Sequence, residues 1–157
     1  MRIILLWVGK TDGKALQELV NEYQTRLQRY IKFEIVTIPG LKNTKNMTEA
    51  QQKQKEGEHI LSKLQPNDFL VLLDERGTSY SSVSFSRFLQ QRMNQGIKRL
   101  VFVVGGPYGF SERVHTKANG KVSLSHMTFS HQMIRPFITE QIYRAFTILR
   151  NEPYHHG

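Results

Sequence analysis

The sequence predicts a single α/β domain with a mostly parallel sheet and helices on both faces of that sheet. Short, almost wholly apolar runs alternate with segments whose apolar residues recur every three or four positions. Such runs are typical of strands covered on both faces, and their alternation with helical segments favours a parallel sheet. The 157 residues contain no repeat, linker or low-complexity tract, so we expect one domain over residues 1–157.

Five strands are predicted from apolar and β-branched runs. The first is the clearest, because residues 2–8 are apolar almost throughout. The dipeptide Pro39-Gly40 ends the second strand, and the polar segment 74–77 ends the third. The predicted strands cover residues 2–8, 33–38, 69–73, 100–104 and, more briefly, 121–124.

Helices are predicted where the apolar residues form one stripe at helical spacing. Thr48, followed three residues later by Gln51, is typical of a capping box at the start of a helix. Pro136 is compatible with the long last helix if it lies in the first turn. The predicted helices cover residues 14–30, 48–64, 85–93, a short segment at 111–115, and 132–150.

The charge of the chain favours a polyanionic partner. Lys and Arg number 22 against 13 Asp and Glu, which gives a net charge of +9. Counterion release from phosphates makes nucleic acid the leading candidate, although many small basic proteins bind none and charge alone leaves the question open. The absence of cysteine excludes disulfides and thiolate metal sites, and we expect no metal site of any kind.

Hydropathy excludes a membrane-spanning helix. The longest apolar run near the start covers residues 3–8, far short of the ~20 residues that a bilayer requires. The mean hydropathy is −0.44. The chain also opens directly on a strand-like run without a charged leader or cleavage site, so we expect a cytoplasmic protein.

Three loops follow strands at the end of the sheet where parallel α/β folds bind ligands. They begin after Leu73, Val104 and Leu124, and together they predict a small-molecule pocket. The glycine loop 105–109 is not a dinucleotide fingerprint, and no P-loop is present, so a bound phosphate chain is not expected. Taken alone, the glycines fit a tight turn, and the apolar residues of segment 124–129 fit ordinary core packing.

Over nearly its whole length the chain resembles the small SPOUT-class methyltransferases, specifically the ribosomal RNA large subunit methyltransferase H family. The resemblance is specific because it combines several internal motifs with a terminal signature. Those motifs include Leu72-Leu73-Asp74-Glu75-Arg76-Gly77, Phe102-Val103-Val104-Gly105-Gly106, Leu124-Ser125-His126-Met127-Thr128-Phe129, Glu140-Gln141-Ile142-Tyr143-Arg144-Ala145 and Pro153-Tyr154-His155.

The resemblance implies an α/β knot, with a deep trefoil knot in the C-terminal part that holds S-adenosylmethionine in its loops. General rules of chain topology would not have predicted a knot. His126 stands where lysine occurs elsewhere in the family, so only a backbone contact is assigned to it. The implied cofactor contacts are Leu73, Gly105, Leu124, Ser125, His126, Met127, Thr128 and Phe129.

The resemblance also implies the reaction, which is methylation at N3 of a pseudouridine in helix 69 of 23S ribosomal RNA, within the assembled ribosome. The enzyme would act as a homodimer in which the second protomer completes the pocket. The N3 proton must be lost, and the identity of the base stays open. The candidate catalytic residues are His131, Glu140, Tyr154 and His155.

Arg135 and Arg144 on the last helix are candidate RNA contacts, and a solvated or ion-paired face explains them equally well. His156 stands where the family usually has a further basic residue, which leaves a tail-arginine role in doubt. Two rival functions stay open. One is a knotted methyltransferase acting on tRNA or on a ribose 2′-oxygen, and the other is a non-catalytic ribosome-binding factor.

Overall fold

The computed structural model describes all 157 residues and contains one five-stranded, all-parallel sheet. The strands are β1 (Arg2–Val8), β2 (Lys32–Ile38), β3 (Phe69–Ser79), β4 (Arg99–Val104) and β5 (Gly120–Ser123). Their order across the sheet is β2-β1-β4-β3-β5, and every neighbouring pair is parallel. The predicted parallel sheet is therefore confirmed, and the short β5 forms one of its edges.

Five helices cover the two faces of the sheet. They are α1 (Lys14–Leu27), α2 (Glu49–Ser62), α3 (Ser82–Asn94), α4 (Glu112–Lys117) and α5 (Ile134–Leu149). Apolar residues of α1, α3 and α5 pack on one face, and those of α2 and α4 pack on the other. The prediction of helices on both faces is confirmed. No helix is both long and apolar enough to cross a membrane. The knot that the resemblance implies stays a prediction.

The continuous apolar strands form two cores because successive side chains of a strand point to opposite faces. In β1, Ile3, Leu5 and Trp7 join the core under α1, α3 and α5, whereas Ile4 and Leu6 join the core under α2 and α4. All five side chains are buried. Burial of each aliphatic side chain contributes about 1.5–3 kcal/mol, so the central strands are the rigid part from which the loops extend.

The first turns of α2 and α5 have the features that the sequence predicts. The Thr48 hydroxyl accepts a hydrogen bond from the Gln51 amide at 3.1 Å, and the Gln51 side chain accepts one from the Thr48 amide at 3.0 Å. This reciprocal pair is the predicted capping box. Pro136 lies in the first turn of α5, where its missing N–H interrupts no helical hydrogen bond.

The predicted end of the third strand was wrong, because β3 does not end at Leu73 but continues to Ser79 after a shift in its register against β5. The Asp74 side chain accepts a hydrogen bond from the Arg76 amide at 2.9 Å and shapes this bulge. A Cβ at Gly77 would lie 2.7 Å from the backbone of Lys121, so glycine is required where the two strands pass.

The first helix is shorter than predicted. It ends at Leu27, although the apolar spacing continues to Tyr30. Tyr30 lies beyond the helix and packs its ring against Tyr143 and Phe146 of α5, with centroid distances of 5.9 and 6.1 Å. An apolar residue at helical spacing can thus belong to the core without belonging to the helix.

Candidate active site

A cleft of about 770 Å³ lies at the carboxyl ends of β3, β4 and β5. Three separate stretches of chain form its walls: the end of β3 with its bulge, the glycine loop 105–109, and the segment 124–131 after β5. Leu73, Gly105 and Leu124 all line it. The three predicted loops therefore share one cavity, although the first of them is a bulge within β3.

Side chains that pack behind the glycine loop restrict which residues fit there. A Cβ at Gly105 would lie 3.0 Å from the ring of Phe110, which is buried in the core under α2 and α4. A Cβ at Gly106 would lie 2.8 Å from a carboxylate oxygen of Glu56 on α2. We predicted that Gly105 lets a ligand approach the backbone. The structure adds a second reason for glycine that requires no ligand.

Glu56 is a half-buried carboxyl that the sequence analysis did not single out. Burial raises its pKa, and the nearby His59 opposes that rise. Its position against Gly106 places a polar group directly behind the wall of the cleft. The segment Lys55-Glu56-Gly57 is polar helix in the sequence, so no local pattern pointed to this contact.

The segment 124–131 is held by short polar contacts. The Ser125 hydroxyl accepts a hydrogen bond from the Met127 amide at 2.9 Å, and the Ser123 hydroxyl donates one to the Ser125 carbonyl at 2.8 Å. The Thr128 hydroxyl donates a 2.6 Å hydrogen bond to a carboxylate oxygen of Glu75 in the β3 bulge. Two walls of the cleft are thus joined by side chains.

The predicted cofactor residues differ in their position relative to the cleft. Seven of the eight line the cleft, and His126 does not. Met127 lines the rim with its side chain 76% exposed, whereas Leu73 and Leu124 are packed against the core. Among the lining residues that the prediction did not include are the polar side chains of Lys53, Asp74, Glu75, Arg76 and Tyr108.

Arg135 is buried, with 1% of its surface exposed. Its guanidinium donates hydrogen bonds to the Val8 and Gly9 carbonyls at 2.9 and 3.0 Å and to the Thr11 hydroxyl at 3.1 Å. Burial lowers its pKa to about 10, and Asp12 opposes that fall. The guanidinium is enclosed by these partners, so the RNA contact of Arg135 stays a prediction that this geometry does not favour. Its role is to tie the start of α5 to the end of β1.

Glu140, Arg144, Tyr154 and His155 form one polar cluster between α5 and the tail, which we call the tail cluster. One Glu140 carboxylate oxygen accepts hydrogen bonds from two Arg144 nitrogens, at 3.0 and 2.6 Å, and from the Tyr154 hydroxyl at 2.9 Å. A third Arg144 nitrogen lies 3.1 Å from His155 Nδ1. The tail is therefore docked, not frayed.

The electrostatics of the tail cluster restrict the roles of its members. Burial and hydrogen bonds to Tyr23 and Glu140 raise the pKa of Tyr154 well above its ordinary value, so its phenol stays protonated and donates. Arg144 can only donate, so His155 Nδ1 accepts, and a neutral His155 then carries its proton on Nε2. Burial lowers the pKa of Arg144, but Glu140 outweighs it and the net shift is upward.

The predicted catalytic residues fall in two places. His131 lines the cleft, whereas Glu140, Tyr154 and His155 do not. Arg144 has its guanidinium engaged by Glu140 and His155 and lies over the Tyr154 ring at 4.7 Å. No group of three or more His, Asp or Glu side chains is arranged to hold a metal ion.

A patch of exposed apolar side chains flanks the cleft and the start of α5. The rings of Phe129 and Phe137 are stacked, with centroids 5.1 Å apart. Residues of this size are exposed together where a protein meets a partner. The members of this apolar rim are Met127, Phe129, Met133 and Phe137.

A parallel α/β sheet with a cleft at the carboxyl ends of its strands defines a small-ligand-binding α/β protein. The family described as "Predicted SPOUT methyltransferase" matches residues 1–155, and the chain belongs to that family. The assignment covers every residue of the cleft and of the tail cluster.

Curated relatives match over almost their full length. Proteins named ribosomal RNA large subunit methyltransferase H from Christiangramia forsetii and Flavobacterium johnsoniae are each 64% identical over 156 residues, which is 99% of this chain and 99% of theirs. A solved probable methylase family protein from Haemophilus influenzae matches 99% of this chain and 70% of its own at 10% identity, with a TM-score of 0.47. That likeness is too remote to assign a function.

Proposed function

We propose that this chain is an S-adenosylmethionine-dependent methyltransferase of ribosomal RNA, with N3 of a pseudouridine in helix 69 of 23S RNA as its target. It acts as a homodimer on the assembled ribosome in the cytoplasm. The observation that carries the proposal is that Leu73, Gly105 and Leu124 line one cleft, in a chain of the SPOUT methyltransferase family. The names of relatives at 64% identity support the RNA substrate.

The residues of the cleft fit S-adenosylmethionine. A volume of about 770 Å³ lies within the ordinary range for small-molecule pockets. Leu73, Leu124 and Phe129 offer apolar surface for the adenine. The charged lining is balanced, with Asp74 and Glu75 against Lys53 and Arg76. When bound, the cofactor supplies an electrophilic methyl group. The protein's part is to hold that group and the acceptor nitrogen in line.

His131 is the predicted proton acceptor that lines the cleft, where it is half-buried beside Ser130 and Ile134. The acceptor nitrogen must lose its proton, and a base on the cleft wall can remove it within the same enclosure. Tyr154 is unsuited to that role, because its raised pKa keeps it protonated. Glu140 is unsuited because its oxygens accept four hydrogen bonds.

The tail cluster has a different role from that of His131. Glu140 and Arg144 are positioning residues that fix the tail, and the fixed His155 presents an Nε2–H donor suited to a uracil carbonyl. The ring of Tyr154 can stack on a base. Arg144 is engaged within the protomer, so positioning explains its contacts better than phosphate binding does.

A homodimer brings the tail cluster of one protomer to the cleft of the other. Tyr154 and His155 do not line the cleft of their own protomer, so a second protomer must bring its tail to the cleft if the tail touches the substrate. The apolar rim beside the cleft provides surface that a second copy covers. Two basic chains then bind one RNA.

The test is methyl transfer to assembled ribosomes purified from a strain that lacks the gene. Mass spectrometry of the digested RNA is expected to show N3-methylpseudouridine after incubation with the purified protein and S-adenosylmethionine. Methyl groups on transfer RNA or on a ribose 2′-oxygen would support the rival methyltransferases. A calorimetric titration that shows no stoichiometric cofactor binding would support the non-catalytic binding factor.

A further inference from the structure

A second groove, of about 490 Å³, lies beside the edge strand β5 and away from the cofactor residues. It runs between the outer surface of α3 and the ends of β3 and β5. Its lining combines cationic, amide and aromatic side chains, and none of its residues is acidic. The residues that the argument uses are Arg87, Arg92, Asn119, Lys121 and Val122.

The cations of this groove have no anionic partners. Arg87, Arg92 and Lys121 make no ion pair, whereas Arg26, Arg99 and Arg144 elsewhere each pair with a carboxylate. Three unpaired cations in one concave surface produce a positive potential that is not neutralised within the chain. Such a surface attracts a ligand that carries several negative charges.

Arg92 is held in place before any ligand arrives. Its guanidinium lies over the rings of Phe69 and Phe88, at 5.0 and 4.7 Å from their centroids. Its Nε is buried and has no hydrogen-bond partner. Asn119 accepts a hydrogen bond from the Leu70 amide with its side-chain oxygen, which leaves its NH₂ group as a further donor on the lining. The groove thus offers several donors, as a phosphodiester requires.

The groove adjoins the candidate active site along β5. Val122 lines both cavities, and the residues that follow it, Ser123 and Leu124, belong to the cleft. Because β5 is an edge strand, no further strand covers this side of the sheet. A polymer lying in the groove therefore extends along β5 directly to the mouth of the cleft.

We infer that this groove binds the phosphodiester backbone of the RNA substrate, next to the nucleotide that enters the cleft. The inference rests on the proposed function, because RNA is the polyanion that a ribosomal RNA methyltransferase must hold. Lys121 and Arg87 contact phosphates, and Arg92 with its aromatic support provides a fixed third contact. The contacts position the RNA without reading its sequence.

The experiment compares the dissociation constant for assembled ribosomes between wild type and the double variant Lys121→Gln/Arg87→Gln, over a range of salt concentrations. Loss of two phosphate contacts is expected to weaken binding about tenfold near physiological salt and to reduce the slope of log Kd against log salt by roughly 1 per contact. Affinity for S-adenosylmethionine is expected to be unchanged.

The matched control is Arg29→Gln/Lys32→Gln, which removes the same charge at the opposite, β2 edge of the sheet. An equal loss of affinity in both double variants, or none in the groove variant, would overturn the inference. Failure of the wild type to bind the ribosomes would also overturn the inference. If wild type binds RNA but transfers no methyl group, the proposed function fails, and the comparison of the two variants still decides the groove.

Discussion

The guanidinium of Arg135 lies over the indole ring of Trp7, with its central carbon 4.6 Å from the ring centroid. The same guanidinium donates hydrogen bonds to the carbonyls of Val8 and Gly9. The segment that forms one wall of the cleft is therefore held at both ends, by β5 before it and by this clamp after it. Its geometry depends on a residue that touches no ligand.

Arg135→Lys is expected to lower the free energy of unfolding by about 2 kcal/mol or more, since lysine leaves buried carbonyls without donors. Because the wall of the cleft loosens, affinity for S-adenosylmethionine should fall as well. Urea denaturation and calorimetry measure the two effects. Arg113→Lys, on the exposed surface of α4, is the control. Unchanged stability of the Arg135 variant would show that the clamp is not needed.

Gly105→Ala is expected to overpack the space against Phe110, at a cost of about 1–3 kcal/mol, and to weaken cofactor binding by shifting the glycine loop. Phe110→Leu in the same chain should return part of the lost stability, so that the two substitutions are coupled. The unfolding free energies of the four variants give the coupling. Gly40→Ala is the control, because a Cβ there meets nothing within 4 Å. Strict additivity would contradict the packing explanation.

Removal of residues 154–157 is expected to leave cofactor affinity intact and to reduce methyl transfer by at least about 100-fold, because in the proposed function the tail contacts the substrate and not the cofactor. Calorimetry and nucleoside mass spectrometry measure the two properties. Turnover at the wild-type rate would exclude a catalytic tail.

A mixing experiment tests whether the tail serves the partner's cleft. The tail-deleted chain and a full-length Gly105→Trp chain are each expected to be inactive. After co-refolding, mixed dimers contain one cleft with an intact glycine loop facing one intact tail, and activity should return. If the mixture stays inactive while mixed dimers are shown to form, the tail does not act across the dimer interface.

Stability is expected to fall in mild acid because of His115. Burial lowers its pKa, and the positive charges of Lys121 and Arg76 add to this effect against the opposing charges of Asp74 and Glu112. Its Nδ1 is buried without a partner. Below the ordinary value of 6.5, the unfolded chain binds a proton that the folded chain resists, so the free energy of unfolding falls as pH drops.

The measurement is urea denaturation between about pH 7 and pH 5. His115→Gln is expected to flatten the pH dependence, because glutamine does not titrate. His156→Gln, in the exposed tail, is the control and should keep the wild-type slope. Identical slopes for wild type and the His115 variant would show that another group causes the acid effect.

The elements that were predicted correctly are those whose signal is local. β1 was placed at residues 2–8 from its apolar run, and the capping box at Thr48 was predicted from two residues at the required spacing. The end of β3 was not predictable, because pairing with β5 extends the strand through the polar segment 74–77, whose sequence predicts a turn. The approach of Glu56 to the glycine loop also depends on how α2 packs, which no spacing in the chain encodes.

By itself the sequence determined the class of fold, the end of the sheet where the cleft lies and, through its motifs, the family. The first two properties follow from side-chain alternation and short-range turn chemistry, which neighbouring residues decide. Only the tertiary structure decided that Arg135 is a buried clamp and that His131 lies in the cleft while His155 lies in the tail cluster. The physical reason is that burial and hydrogen bonding depend on which distant segments meet. The sequence around an arginine on a helix is the same whether its guanidinium faces solvent or donates to buried carbonyls.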